Sequence, residues 1–398
     1  MRKTIKIGMF GYGVVGQGLH DVLEKSTGVR AEIRRICVKD KHKKRRLPLR
    51  YFTFDKRDIL EDPEVNLVVE LIDDADEAFR IVGEALSSGK NVVTANKKMV
   101  AEHLPELIRL QQDSHTSLLY EGAVCGAVPI IRNLEEYYDH EWLGSVRGIF
   151  NGSTNYILTR MYKDGLAYTD ALQEAQEQGF AESDPWLDVS GMDATYKLSI
   201  IIEHAFGLNI RPEDIFHLGI TGISNHDIRY AAEKKMKIKL VPYAGRVGKN
   251  SLTAFVLPRF ITGEKQLYQV DNEYNGVIVE AAFAEKQFFF GKGAGGHPTG
   301  SAVLSDISAN AYDYAYEYKK RRQTRNFTYT TDVNLNVYFR YLNPEDRALL
   351  EFTDISETCS GREYSYIIGK INLRELMEKS EQLNQKSVSV INLGDKPT

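Results

Sequence analysis

An apolar strand, Lys3 to Phe10, runs without a break into G-Y-G-V-V-G, Gly11 to Gly16, and then into a helical pattern at Leu19, Val22 and Leu23. A strand that delivers G-x-G-x-x-G onto the start of a helix predicts the opening β-α-β unit of a parallel, dinucleotide-binding sheet. Gly11 permits the tight turn, Gly13 lets the main chain approach a pyrophosphate, and Gly16 lets helix and strand pack closely. The amide hydrogens of the helix N-terminus face the phosphates. Gly11, Tyr12, Gly13, Val14, Val15 and Gly16 are therefore the candidate cofactor contacts. A plain glycine turn is the competing reading, and placement between a strand and a helix is what disfavours it.

The following segments fit the same sheet. A second strand, Ile33 to Val38, leads into K-D-K-H-K-K-R-R, Lys39 to Arg46. Asp40 is available to a ribose, while Lys39 and the basic run suit the 2'-phosphate of NADP; a solvated basic loop fits the run equally well. Val65 to Ile72 is a near-continuous apolar run, as in a strand buried on both faces. Asn91 to Val93 is the next strand and delivers T-A-N-K, Thr94 to Lys97. Ligands of open α/β sheets lie at strand C-termini, which places Thr94 and Lys97 near the nicotinamide. The small residues after Leu118–Glu121, G-A-V-C-G-A-V-P, allow main-chain carbonyls to converge as around a monovalent cation, but on composition alone a tight-packing loop explains them far better.

The densest chemistry lies in G-F-A-E-S-D-P-W-L-D-V-S-G-M-D-A-T-Y-K-L, Gly179 to Leu198. Pro185 and Gly191 predict a loop in its first half, and Ala194 to Ile201 predict a helix after it. Asp193 and Lys197 stand four apart and share a helix face. A surface ion pair is the common use of that spacing. Here the helix continues as L-S-I-I-I, and Glu182, Asp184 and Asp188 crowd its entrance. A lysine beside a carboxylate at a buried loop-to-helix junction suits proton transfer.

Together with this stretch, G-Y-G-V-V-G, V-V-E-L-I, N-V-V-T-A-N-K-K, Y-E-G-A-V-C-G-A-V-P-I-I and G-I-F-N-G-S-T-N-Y-I-L-T, in that order, resemble the homoserine dehydrogenase family over residues 4 to about 310. The resemblance implies an α/β Rossmann domain over residues 1–145, completed by a returning segment, 291–318. It also implies an α+β catalytic and dimerisation domain over 146–290. It implies interconversion of L-aspartate 4-semialdehyde and L-homoserine with NADP(H) or NAD(H), in a homodimer or higher homo-oligomer. The implied roles are Glu182 and Asp188 on the substrate ammonium, Lys197 as proton donor to the substrate oxygen, Asp193 orienting Lys197, and Lys97 polarising the same oxygen. Gly295 falls on the nicotinamide side, and main-chain oxygens of Glu121, Val124, Gly126 and Val128 hold a sodium-like ion. Asp73 and Asp74 stand where the family often has two glycines, which works against a phosphate.

Beyond a polar linker, Lys319 to Asn326, residues 327–398 resemble a shortened ACT module, the amino-acid-sensing appendage of many family members. Strands are expected at Val333–Leu342, Tyr364–Ile371 and Ser387–Leu393, with helices at Pro344–Asp354 and Leu373–Leu383. The turn after the first strand is N-P-E-D, Asn343 to Asp346, without glycine, and is not expected to hold an amino-acid effector. Residues 199–240 read as mainly helical, and 241–290 as several short strands.

Composition excludes other classes. A net charge of -4 argues against a nucleic-acid partner. Cys37, Cys125 and Cys359 offer neither a disulfide framework nor a zinc spacing, which suits a reducing compartment. No stretch reaches the length of a membrane span, and the N-terminus lacks the apolar core of a signal peptide, so a cytoplasmic enzyme is expected. A catalytically silent amino-acid sensor on the same scaffold is the alternative, and the presence of Lys97, Asp193 and Lys197 argues against it.

Overall fold

The computed structural model describes residues 4–323, 327–394, 396 and 397, so Lys3 and residues 324–326 of the expected linker lie outside the described residues. The chain divides into two compact units, Met1–Asp139 with Lys292–Lys319, and His140–Gly291 with Lys320–Thr398.

The first unit is built on six parallel strands: β1 (Ile5–Phe10), β2 (Ala31–Cys37), β3 (Phe52–Thr53), β4 (Leu67–Glu70), β5 (Asn91–Thr94) and β6 (Leu118–Leu119). Their spatial order, β3-β2-β1-β4-β5-β6, reverses direction between β1 and β4. A doubly wound sheet takes its ligand at that switch point. Leu67, Val68 and Val69 are buried, which is why β4 reads as an unbroken apolar run. Helices Ala75–Ser87 and Lys97–Ser114 begin at side-chain caps, Asp74 accepting from the Glu77 amide and Asn96 from the Met99 amide. The helix Gly296–Asn310 returns to pack on the first helix, Val14–Lys25. Any Cβ on Gly18 would overlap the Gly296 carbonyl, so glycine sets how closely these helices approach.

The second unit is a mixed sheet. It comprises β7 (Leu143–Ile149), β8 (Phe216–His217), β9 (Met236–Val247), β10 (Ser251–Thr262), β11 (Tyr274–Ala281), β12 (Lys286–Lys292), β13 (Thr328–Tyr329), β14 (Asn334–Tyr341), β15 (Asp354–Ser360), β16 (Ser365–Asn372) and β17 (Ser389–Asn392). The order is β12-β11-β7-β9-β10-β17-β14-β16-β15, with β8 and β13 also pairing with β10. Across residues 199–240, expected to be mainly helical, helical structure is confined to the helices Met192–Phe206 and Asn225–Glu233 and one short turn, and a twelve-residue strand starts at Met236. Every residue from Met236 to Tyr243 is buried, which erases the alternation that marks a half-exposed strand. Lys237 and Lys239 add to the disguise: both are buried and both pair with Asp271.

Residues 327–398, set apart above as an ACT-like module, belong to this second compact unit. Strands β14 to β17 form an antiparallel sheet in the order β17-β14-β16-β15, the split β-α-β arrangement. Its first connection is only a 3-10 turn, Pro344–Leu349, where a helix to Asp354 was expected, and β15 was not foreseen. All seven β15 residues are exposed, so it carries no apolar alternation. One core joins Phe216, Leu218, Phe255 and Leu257 to Val337, Phe339, Leu376 and Val388, and that shared core holds the segment in the unit. Among the described residues no helix is long and apolar enough to cross a membrane.

Candidate active site

In the first unit the glycine loop has the form its sequence predicts. Gly11 sits at φ +91°, and a Cβ there would come within 2.5 Å of the Leu71 carbonyl. Gly13 precedes the first helix and has open space where its Cβ would be. Val14, at the helix start, is exposed, Val15 is half-buried, and Gly16 is buried beneath Gly11. Tyr12 is buried, edge-on to Phe52, and burial raises its phenol pKa.

Beside this loop Lys39 points into solvent, 3.4 Å from Asp74, so the carboxylate expected to oppose it is its ion-pair partner. Asp40 folds back on its own loop, accepting from the His42 and Lys43 amides. Tyr12, Gln17, Lys43, Lys44, Arg45 and Arg46 line a basic cleft of about 280 Å³.

The ends of β4 and β5 are tied by a residue the sequence reading passed over. Glu70 is fully buried; it accepts from the Ile72 amide at 2.6 Å and the Thr94 hydroxyl at 2.6 Å. Burial pushes its pKa up to about 7. Thr94 in turn accepts from the Asn96 amide, and the Asn96 side chain donates to the Ile72 carbonyl. The network fixes the main chain from which Lys97 starts its helix. An acid inside an apolar run, V-V-E-L-I, was the signal that could have found it.

The loop after β6 turns sharply, with Cys125 and Gly126 both at φ +55°. The Glu121 carboxylate accepts from the Ile131 and Arg132 amides, and the Glu121 amide donates to Asp306, which pairs with Arg132 at 2.7 Å. Burial raises both acids, Glu121 to about 7 and Asp306 to about 6. Main-chain carbonyls at Glu121, Val124, Gly126 and Val128 sit on this loop; the first also accepts from the Val124 amide. Gly295, at φ +111°, precedes the returning helix.

In the second unit the Asp193–Lys197 pair is buried on its helix. The Lys197 ammonium donates to Asp193 Oδ2 at 2.7 Å and to the Phe150 carbonyl at 2.7 Å. Asn151 completes the group: its amide donates to Asp188 Oδ1 at 2.7 Å and to Asp193 Oδ2 at 2.8 Å, while its carbonyl oxygen caps the helix Gly152–Asp164. Burial and the neighbouring Asp193 raise the Asp188 pKa, against the pull of Asn151. Asp188 lies in a short turn, Trp186–Val189, whose Trp186 and Leu187 are exposed. Glu182 is exposed on the preceding loop, apart from the buried pair. The structure thus brings Asp188, Asp193 and Lys197 together, with Asn151 bridging the two acids.

A doubly wound nucleotide-binding sheet, in a chain that also carries a buried lysine held by a carboxylate and a main-chain carbonyl, points to a nicotinamide-dependent oxidoreductase. Residues 11–121 match the model "Homoserine dehydrogenase, NAD binding domain", and residues 129–308 match "Homoserine dehydrogenase". The Bacillus subtilis homoserine dehydrogenase is 36% identical over 316 residues, 77% of this chain and 73% of that protein. The homoserine dehydrogenase structure from Thiobacillus denitrificans has a TM-score of 0.86 at 29% identity, covering 99% of both chains. A hyperthermophilic archaeal homoserine dehydrogenase in complex with NADPH has a TM-score of 0.67 at 25% identity, covering 79% of this chain and 99% of that one. The chain belongs to the homoserine dehydrogenase family.

Proposed function

We propose that this protein interconverts L-aspartate 4-semialdehyde and L-homoserine, and that Lys197 moves the proton. The observation that carries the assignment is the Lys197 ammonium, buried and fixed by Asp193 and the Phe150 carbonyl. Bound NAD(P)H supplies the hydride to the carbonyl carbon. Lys197 gives a proton to the carbonyl oxygen, which becomes the homoserine hydroxyl; in reverse, neutral Lys197 takes it back. Asp193 orients Lys197. Asp188, with Glu182, receives the substrate ammonium, and Lys97 polarises the reacting oxygen.

The glycine loop from Gly11 to Gly16 holds the pyrophosphate, with Thr94, Lys97 and Gly295 on the nicotinamide side. Gly13 supports this reading, since nothing occupies the space beside it. Lys39 and the basic cleft from Lys43 to Arg46 supply cations for a 2'-phosphate. The four carbonyls from Glu121 to Val128 are hard oxygen donors of the kind that hold a sodium ion. We read the enzyme as a cytoplasmic homodimer. The test is absorbance at the reduced-nicotinamide band with L-homoserine and each oxidised cofactor. Reduction with L-homoserine alone among short amino alcohols and hydroxy acids supports the assignment; no reduction by folded, cofactor-binding protein overturns it in favour of a silent sensor.

A further inference from the structure

The lysine and its two acids are held by a residue to which the proposed reaction gives no part. Asn151 is buried, and both ends of its side chain are bonded. One end accepts from the Thr154 amide at 2.8 Å and from the Thr154 hydroxyl at 3.0 Å. A main-chain N–H can only donate, so that end is the carbonyl oxygen and the other is the NH2 group. The NH2 group has two hydrogens. One goes to Asp188 Oδ1 at 2.7 Å and the other to Asp193 Oδ2 at 2.8 Å. A flipped amide would set its oxygen against two carboxylates and its NH2 against an N–H, so the orientation is locked from both sides.

Capping alone does not call for asparagine. A cap needs one acceptor, and serine, threonine or aspartate supplies it as well. Asparagine alone among these supplies the acceptor and two donors together. The two donors matter because two carboxylate oxygens within 2.8 Å of one nitrogen repel each other. Lys197 is bonded to Asp193, which leaves Asp188 as the acid able to receive an ammonium.

The helix that starts at Asn151 is itself pinned. A Cβ on Gly152 would come within 2.6 Å of the Glu273 carbonyl. One turn further on, the buried Asn155 donates to the Val270 and Asn272 carbonyls and accepts from the buried Lys239 ammonium at 2.9 Å. The first turn is therefore fixed to the loop before β11, and Asn151 projects from a rigid base.

We infer that Asn151 is a positioning residue for the reaction: its single NH2 group holds Asp188 for the substrate ammonium and Asp193 against Lys197, at a fixed separation. It ties the group that recognises the amino acid to the pair that moves the proton. The inference rests on the roles proposed for Asp188 and Lys197.

The test compares Asn151→Ser, Asn151→Asp and Asn151→Ala in the full chain. Serine and aspartate keep a cap acceptor; serine is too short to reach the acids, and aspartate puts a third carboxylate where the donor stood. Alanine loses cap and bridge together. Melting temperature and kcat for L-homoserine oxidation are measured for each. NADPH-loaded wild type and Asn151→Ser are also titrated calorimetrically with L-homoserine and with 4-hydroxybutanoate, which lacks the ammonium. The reduced cofactor cannot take hydride from an alcohol, so binding is read without turnover. Asn151→Ser is expected to melt near the wild type yet lose kcat by roughly 10- to 100-fold, the worth of a hydrogen bond to a charged group. Its preference for L-homoserine over 4-hydroxybutanoate is expected to fall by roughly tenfold, and Asn151→Asp is expected to lose at least as much kcat. A kcat retained in the serine and aspartate variants and lost only with the cap in Asn151→Ala would overturn the inference. An unchanged affinity ratio in Asn151→Ser would overturn it too. A wild type that binds L-homoserine without oxidising it would fail the dehydrogenase assignment instead, and the affinity ratio would still decide the part of Asn151.

Discussion

Lys197 has its charge held by two acceptors at 2.7 Å, and that geometry fixes what its loss does. Lys197→Ala is expected to reduce turnover by about 10²- to 10⁴-fold, the usual worth of a general acid. Cofactor affinity, read by NADPH fluorescence titration, should be nearly unchanged. A variant with near-normal turnover removes Lys197 from the chemistry. At the other unit's ligand end, Lys39 is a weaker case, because its side chain is 77% exposed and already paired with Asp74. Exposed pairs are worth about 0.2–1 kcal/mol. Lys39→Ala should therefore lower the ratio of kcat/KM for NADP over NAD by only about two- to fivefold, with the basic cleft retaining the rest. An unchanged ratio takes Lys39 out of the site.

The C-terminal ends of β4 and β5 give a prediction at the scale of the element. Glu70 titrates at about 7 in the fold and about 4.3 when unfolded. Between those values the folded state holds the extra proton, so Glu70's contribution is full below about pH 4.3 and is lost as pH rises towards 7. The loss is on the order of 3 kcal/mol. Glu70→Gln can still accept from the Ile72 amide and can donate its own amide to the Thr94 hydroxyl, but it cannot ionise. Its urea-denaturation stability should decline less than the wild type's between pH 5 and 7, and parallel profiles would rule the linkage out. Glu70 also shows where sequence reading runs short. Strand β4 was legible from its apolar residues, and the acid among them was a local sign of a buried carboxylate, but its bond to Thr94 on the neighbouring strand is set only by the fold. The start of strand β9 was hidden for a different reason, since burial of both faces removed the period, and β15 because full exposure did.

At the scale of the molecule, the features set by local chain chemistry were readable. The strand–glycine–helix opening needs only a turn at Gly11, and the Asp193–Lys197 pair needs only one helical turn. What required the folded chain was everything assembled across long separations: Asn151 bridging Asp188 and Asp193, and the core that joins residues 327–398 to β10. In the proposed mechanism Lys197 takes the proton when homoserine is oxidised, and in that direction it must first be neutral. The direct measurement is the initial rate of L-homoserine oxidation from neutral to alkaline pH, for the wild type and Lys197→Ala under conditions where both are folded and saturated with cofactor. The wild-type rate is predicted to climb with pH, and the variant is predicted to be slow and nearly flat. A wild-type rate that falls steadily from neutral pH, or a variant that reproduces the wild-type profile, would contradict it.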